Sequence, residues 1–147
     1  MSTALTEEIG TGINLAMLSV GSELPQRRHT ATNVSLFMYN AAVWNAHRIH
    51  YDETYTIGVE GHPAIVIDGP LQGDWLSQVA LNWAGAQGRV MNFSYTNRKA
   101  SYLGEVLTSG GNVTTVDLKN RLVEIRLFIK NEAGEVVTPG TATVSFS

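Results

Sequence analysis

The sequence contains no cysteine. That one absence excludes disulfides, thiolate metal sites and cysteine nucleophiles together. Charge is also scarce. Ten basic and thirteen acidic side chains make up 16% of the 147 residues and leave a net charge of −3. A phosphate-binding surface needs clustered Lys and Arg, so nucleic acid is not an expected partner. No apolar run approaches the ~20 residues of a membrane span, and no membrane partner is expected. The first eight residues, Met1 to Glu8, carry acids and no basic segment. They do not read as a secretory signal, and a cytoplasmic location is the default expectation.

What is present is core-forming material: 44% of the residues are hydrophobic. A chain of this length buries roughly 70% of its unfolded surface, enough for one domain with its own core. Residues 1–147 are read as that single domain, with 1–12 as a flexible lead-in. Gly10-x-Gly12 lacks the third glycine and the preceding strand of a nucleotide fingerprint.

Ile13 to Ser19 is a short apolar run that fits a strand or a helical turn equally. Gln26 to Thr32 reads as extended. Val34, Phe37, Met38 and Ala41 fall at i, i+3, i+4 and i+7, which predicts a helix capped by Thr32 or Asn33 and running to about Trp44. Ala64 to Ile67 reads as a short buried strand or loop. Gly69-Pro70 then starts a second, longer helix, since proline is well placed at a first helical position. Its apolar face is Leu71, Trp75, Leu76, Val79, Ala80 and Trp83, and Gly85 and Gly88 end it. From Arg89 the period becomes two: Met91, Phe93, Tyr95, then Val123, Ile125, Leu127, Ile129, then Ala142, Val144, Phe146. Gly110-Gly111-Asn112 and Lys130 to Gly134 read as hairpin turns. The expected class is α+β, one long helix against an antiparallel sheet.

The densest polar cluster is Trp44 to Asp52, with Asn45, His47, Arg48, His50 and Asp52. Three readings fit it. It can be a solvated turn after a helix. It can be a metal site of His47, His50 and Asp52, although such sites usually draw another ligand from elsewhere, and His29 and His62 are weak candidates; no metal is expected. It can be an acid–base site centred on His50, because imidazole transfers protons near neutral pH.

Three motifs narrow the choice. Asn45-x-His47-Arg48-Ile49-His50-Tyr51-Asp52, Val59-Glu60-Gly61-x-Pro63 and Val66-Ile67-Asp68-Gly69-Pro70-Leu71-Gln72 occur in order. Together they resemble the MaoC-like hydratase/dehydratase family, nearest to the branch of hydroxyacyl-thioester dehydratase type 2 and mesaconyl-CoA hydratase. The resemblance covers about residues 20–110. It implies a single hotdog fold, in which the sheet wraps around one central helix. It also implies reversible hydration of a 2-enoyl-CoA, or dehydration of a 3-hydroxyacyl-CoA, with no cofactor.

Laid on the broader pattern Asp-x-Asn-Pro-x-His, His50 takes the histidine place, Asn45 the aspartate place and His47 the asparagine place. His50 is then the acid–base group, with Asn45 positioning water and Asp52 or His47 orienting the ring. An amide cannot carry the catalytic proton. Asp68 is a second departure, standing where this branch often has histidine. Backbone N–H groups of Gly69, Leu71 or Gln72 at the helix start would hold the thioester oxyanion. Arg48 and Arg98 are carried as further substrate contacts, Arg98 with Lys99 toward the coenzyme A phosphates; Arg27 and Arg28 have the same standing as that pair.

The resemblance further implies a homodimer or a pairing with another hotdog subunit. Two rivals remain. One is a non-catalytic subunit that partners an active homologue. The other is a hotdog thioesterase using Asp68 or Asp74. Fold alone does not separate them.

Overall fold

The period-two stretches become strands because alternate side chains on a pleated strand point to opposite faces. The computed structural model describes residues 12–147, so Gly10 and nearly all of the expected lead-in lie outside the described residues. Strand β1 is Glu23–Thr30, β2 Gly88–Tyr95, β3 Val106–Asp117, β4 Leu122–Lys130 and β5 Val136–Phe146. They form one antiparallel sheet in the order β1-β3-β4-β5-β2. In β4, Val123, Ile125, Leu127 and Ile129 are buried, while Glu124 and Arg126 face solvent. Ala142, Val144 and Phe146 do the same work in β5.

The Lys130–Gly134 turn joins β4 to β5 as expected. Gly134 takes φ 78°, and the Asn131 side chain accepts the N–H groups of Ala133 and Glu135. The turn expected at Gly110-Gly111-Asn112 is not there. These residues lie in the middle of β3, paired with Phe128, Leu127 and Arg126 of β4. The glycines answer crowding rather than turn geometry: a Cβ on Gly111 would stand 2.5 Å from the Arg126 carbonyl oxygen. The actual β3–β4 turn follows Asp117, whose carboxylate accepts the Asn120 N–H, and Arg121 takes φ 56°.

Helix α3, Gly69–Ala84, crosses the sheet and touches all five strands. It buries Leu76, Val79, Ala80 and Ala84, with Trp75 and Trp83 packed beside them. Each large aliphatic side chain so buried contributes on the order of 1.5–3 kcal/mol. This is the antiparallel sheet on one long helix that the sequence predicts.

Helix α1, Asn33–Ala42, forms where expected, with Thr32 and Ser35 in a reciprocal capping box. Its apolar stripe faces away from the core. Val34, Phe37 and Met38 are 62–66% exposed, while Leu36 and Asn40 are buried. A period of 3.6 identifies an apolar stripe; it does not say which side meets the rest of the molecule. The helix ends at Ala42, two residues early. The Asn45 N–H bonds back to the Asn40 carbonyl at 3.0 Å, and Trp44 takes the left-handed position at φ 56°. Glycine usually holds that position. Ile13 to Ser19 contains a short 3-10 turn, Leu15–Met17. Ala64 to Ile67 contributes a single bridge, Val66 to Tyr102, and no strand. A short helix α2, Glu53–Gly58, follows the polar cluster.

Candidate active site

His50 closes a 3-10 turn, Arg48–His50, and is 8% exposed. Its Nδ1 lies 2.8 Å from the Val66 carbonyl oxygen. A carbonyl only accepts, so Nδ1 carries a proton and donates it. In the neutral ring Nε2 is therefore the basic nitrogen. Nε2 stands 3.6 Å from Oδ1 of Asp68, within ion-pair range and beyond a hydrogen bond.

Asp68 is completely buried. Its Oδ1 accepts from Nδ2 of Asn45 at 3.2 Å, and its Oδ2 accepts from Nδ2 of Asn40 at 3.0 Å. Asn40 gives its other amide proton to the Leu36 carbonyl at 2.8 Å. That fixes the amide's orientation and leaves Asn40 Oδ1 buried without a hydrogen-bond partner among the described residues. Asn45 is held at both ends, since its Oδ1 accepts the His47 N–H at 3.1 Å.

Asp68 is also the N-cap of α3, yet its carboxylate makes no capping hydrogen bond. An aspartate there ordinarily accepts an N–H of the first turn. Here Gly69 and Leu71 keep N–H groups with no hydrogen bond among the described residues, and Pro70 has none to offer. The expected Gln72 backbone donor is not free: its N–H bonds to the Asp68 carbonyl at 3.2 Å, closing the first turn. The Gln72 side chain is buried, with Oε1 accepting from Thr138 at 2.6 Å. A Cβ on Gly69 would fall 2.0 Å from the Asn97 amide, so a larger residue there would have to displace that exposed side chain.

A cleft of about 250 Å³ opens over this helix start. Its floor is His50, Gly69 and Gln72, and its rim is Asn97 to Ala100. Lys99 on the rim is held by Glu135 at 2.6 Å, whereas Arg98 makes no ion pair among the described residues. On the other side of the Asp68 cluster lies an apolar hollow of about 330 Å³, backed by Asn40 and Asn45 and walled by Phe37, Trp44 and Tyr51.

Two expected members stand apart. Asp52 does not orient His50. It pairs with Arg48 at 2.7 Å and caps α2 through the Tyr55 N–H at 3.0 Å. These bonds hold its carboxyl below the ordinary carboxylate range. Arg48 also lies over the Tyr55 ring, 4.1 Å from its centre, and so supports the local fold. His47 is exposed and meets the His50 ring edge-on at 5.7 Å. The run thus combines one buried histidine, His50, with a solvated outer side on which His47 and Arg48 face water as a turn after a helix would have them. Sequence reasoning gave Asn40 no part in the site and read Asp68 chiefly as a departure from pattern. The available signal was that Asn40 shares a helix face with Leu36.

Solved structures of other proteins define the class first. The (R)-hydratase from A. caviae involved in PHA biosynthesis superposes with a TM-score of 0.79 at 15% identity, covering 89% of this chain and 98% of that one. The ChsH1-ChsH2 complex from Mycobacterium tuberculosis gives 0.78 at 18% identity, covering 89% and 100%. At such identities the likeness is one of fold, and the fold is the hotdog. The sequence settles the family. A model of hydroxyacyl-thioester dehydratase type 2 matches residues 18–103, more than half of the chain. This chain belongs to that family. A mesaconyl-C(4)-CoA hydratase from Chloroflexus aurantiacus is 47% identical over 45 residues, which is 31% of this chain and only 16% of that relative.

Proposed function

We propose that the chain adds water reversibly to a 2-enoyl thioester, in the other direction dehydrating a 3-hydroxyacyl thioester, with coenzyme A as the carrier. The observation that carries this reading is the meeting of a buried, carbonyl-anchored imidazole with an uncapped helix start in one cleft. In hydration, Nε2 of His50 takes a proton from water as the water oxygen bonds to C3. The C2–C3 electron pair shifts toward the thioester carbonyl. The N–H groups of Gly69 and Leu71, at the positive end of the α3 dipole, stabilise the oxygen as it gains charge. The proton on Nε2 then passes to C2. One water is consumed, and nothing is oxidised or reduced. Asn45 lines the neighbouring hollow and not this cleft, so its part is to hold the Asp68 carboxylate. Arg98, unpaired at the rim, suits the nucleotide phosphates.

The thioesterase reading is disfavoured by burial. Asp68 accepts two amides and has no exposed surface from which to attack a carbonyl. Asp74 is already held by the Tyr39 hydroxyl at 3.0 Å. Pairing with a second hotdog subunit, identical or different, is supported by β2, whose outer edge has no strand partner among the described residues. The solved neighbour named as a complex of two chains supports it too.

The test follows loss of enoyl absorbance with a panel of 2-enoyl-CoA esters, for the protein and for His50→Ala. Turnover that falls roughly 10²–10⁴-fold in the variant is expected for removal of a general acid–base group. No turnover by the folded protein on any ester overturns the reading of a self-sufficient hydratase. It would favour the non-catalytic subunit.

A further inference from the structure

We propose that Asp68 is the positioning residue of this site, supplying from the start of the central helix the one carboxylate that, among the described residues, faces the His50 imidazole. The inference rests on the hydratase reading and adds a residue to it. Four observations converge. Asp68 is fully buried, and a charge there costs several kcal/mol unless it is compensated. The compensation comes from two side-chain amides, Asn40 and Asn45, at 3.0 and 3.2 Å. The carboxylate turns away from its local task of capping α3. It points instead at the nitrogen of His50 that is free to accept a proton.

The arrangement has two consequences. When Nε2 takes a proton from water, the imidazolium formed stands against a fixed negative charge. A negative charge beside the ring stabilises the charged imidazolium, while the tautomer itself is set by the Val66 carbonyl at Nδ1. Turning the carboxylate away also leaves the Leu71 N–H, the one it could have capped, without that bond. The same side chain thus aids the base and keeps that oxyanion donor open. Asn40 and Asn45 act one step further back, because neither amide can turn without losing a bond to Asp68 or to the backbone.

The experiment compares Asp68→Asn with the exchange variant Asn45→Asp/Asp68→Asn, using whichever enoyl-CoA the unmodified protein turns over. Asp68→Asn preserves shape and removes the charge. Its kcat is expected to fall at least about 100-fold while KM stays within about threefold, because the lost interaction is one made in the transition state. The exchange keeps one carboxylate and one amide in the cluster, and it should recover at least about tenfold of the loss. Thermal unfolding of all three proteins is followed in parallel.

If kcat falls in step with the melting temperature and the exchange recovers none of it, Asp68 is only structural and the inference is overturned. Asp68→Asn with unchanged kcat overturns it as well, while leaving the hydratase reading intact. An unmodified protein that turns over no enoyl-CoA overturns the reading itself, and the catalytic sense of Asp68 with it.

Discussion

Strands β3 to β5 and the segment from Asn33 to Gln72 differ in how much of what they bury is polar. In the strands, alternate apolar side chains go inward: Leu107, Val113, Val123, Leu127, Ile129 and Val144 are all without exposed surface. In the segment, the apolar stripe of α1 faces out. Five of the side chains that go in are polar: Asn40, His50, Thr56, Asp68 and Gln72. The first region maximises apolar area removed from water. The second accepts the cost of burying polar groups, and offsets it by pairing nearly every one. The proposed site lies in the second region, where polar groups are buried and paired.

The comparison can be broken at three points beyond the tests above. The largest expected effect is on the apolar side. Leu127→Ala removes a buried side chain between neighbouring strands and should destabilise the fold by about 2–5 kcal/mol, measured by denaturant unfolding. Its catalytic constants should stay close to normal while the protein is folded.

Next is Asn40→Ala, which takes one amide from the Asp68 carboxylate. Leaving a buried acceptor without that donor costs about 1–3 kcal/mol. Here activity should fall along with stability, because Asp68 loses its anchor. A variant of normal activity would place Asn40 outside the site.

The smallest effect is on the exposed stripe. Phe37→Ser should change unfolding by no more than about 0.5 kcal/mol in dilute protein, as for other surface positions. A larger loss that grows with protein concentration would mean that α1 is covered by a second subunit in solution.

Much of the fold was legible because it is written in short-range periods. Val123 to Ile129 alternates, so β4 follows. Pro70 sits in a first helical turn, so the start of α3 follows. Gly110 and Gly111 misled for a physical reason. Glycine serves turns by freeing φ, and serves close strand approach by omitting Cβ, and the residue type does not say which. The site was legible in part. His50 and Asn45 stand inside a dense polar run and drew attention as a group. Asn40 did not, because a single asparagine in a helix is unremarkable until the face it occupies is known. Asp52 was expected at His50 through proximity in sequence, but i to i+4 geometry gave it to Arg48.

The sequence by itself therefore determined the α+β class, the long helix, the alternating strands and the family, and singled out His50. All of these depend on local period or on short contiguous motifs. The place of β2 beside β5 rather than β3 it did not determine. Tertiary structure alone decided that α1 turns its apolar stripe outward, and that the Asp68 carboxylate leaves its helix cap for His50. Its amide partners lie 28 and 23 positions away along the chain. A buried charge is settled by whichever donors the fold brings within about 3 Å, and no local period encodes that meeting.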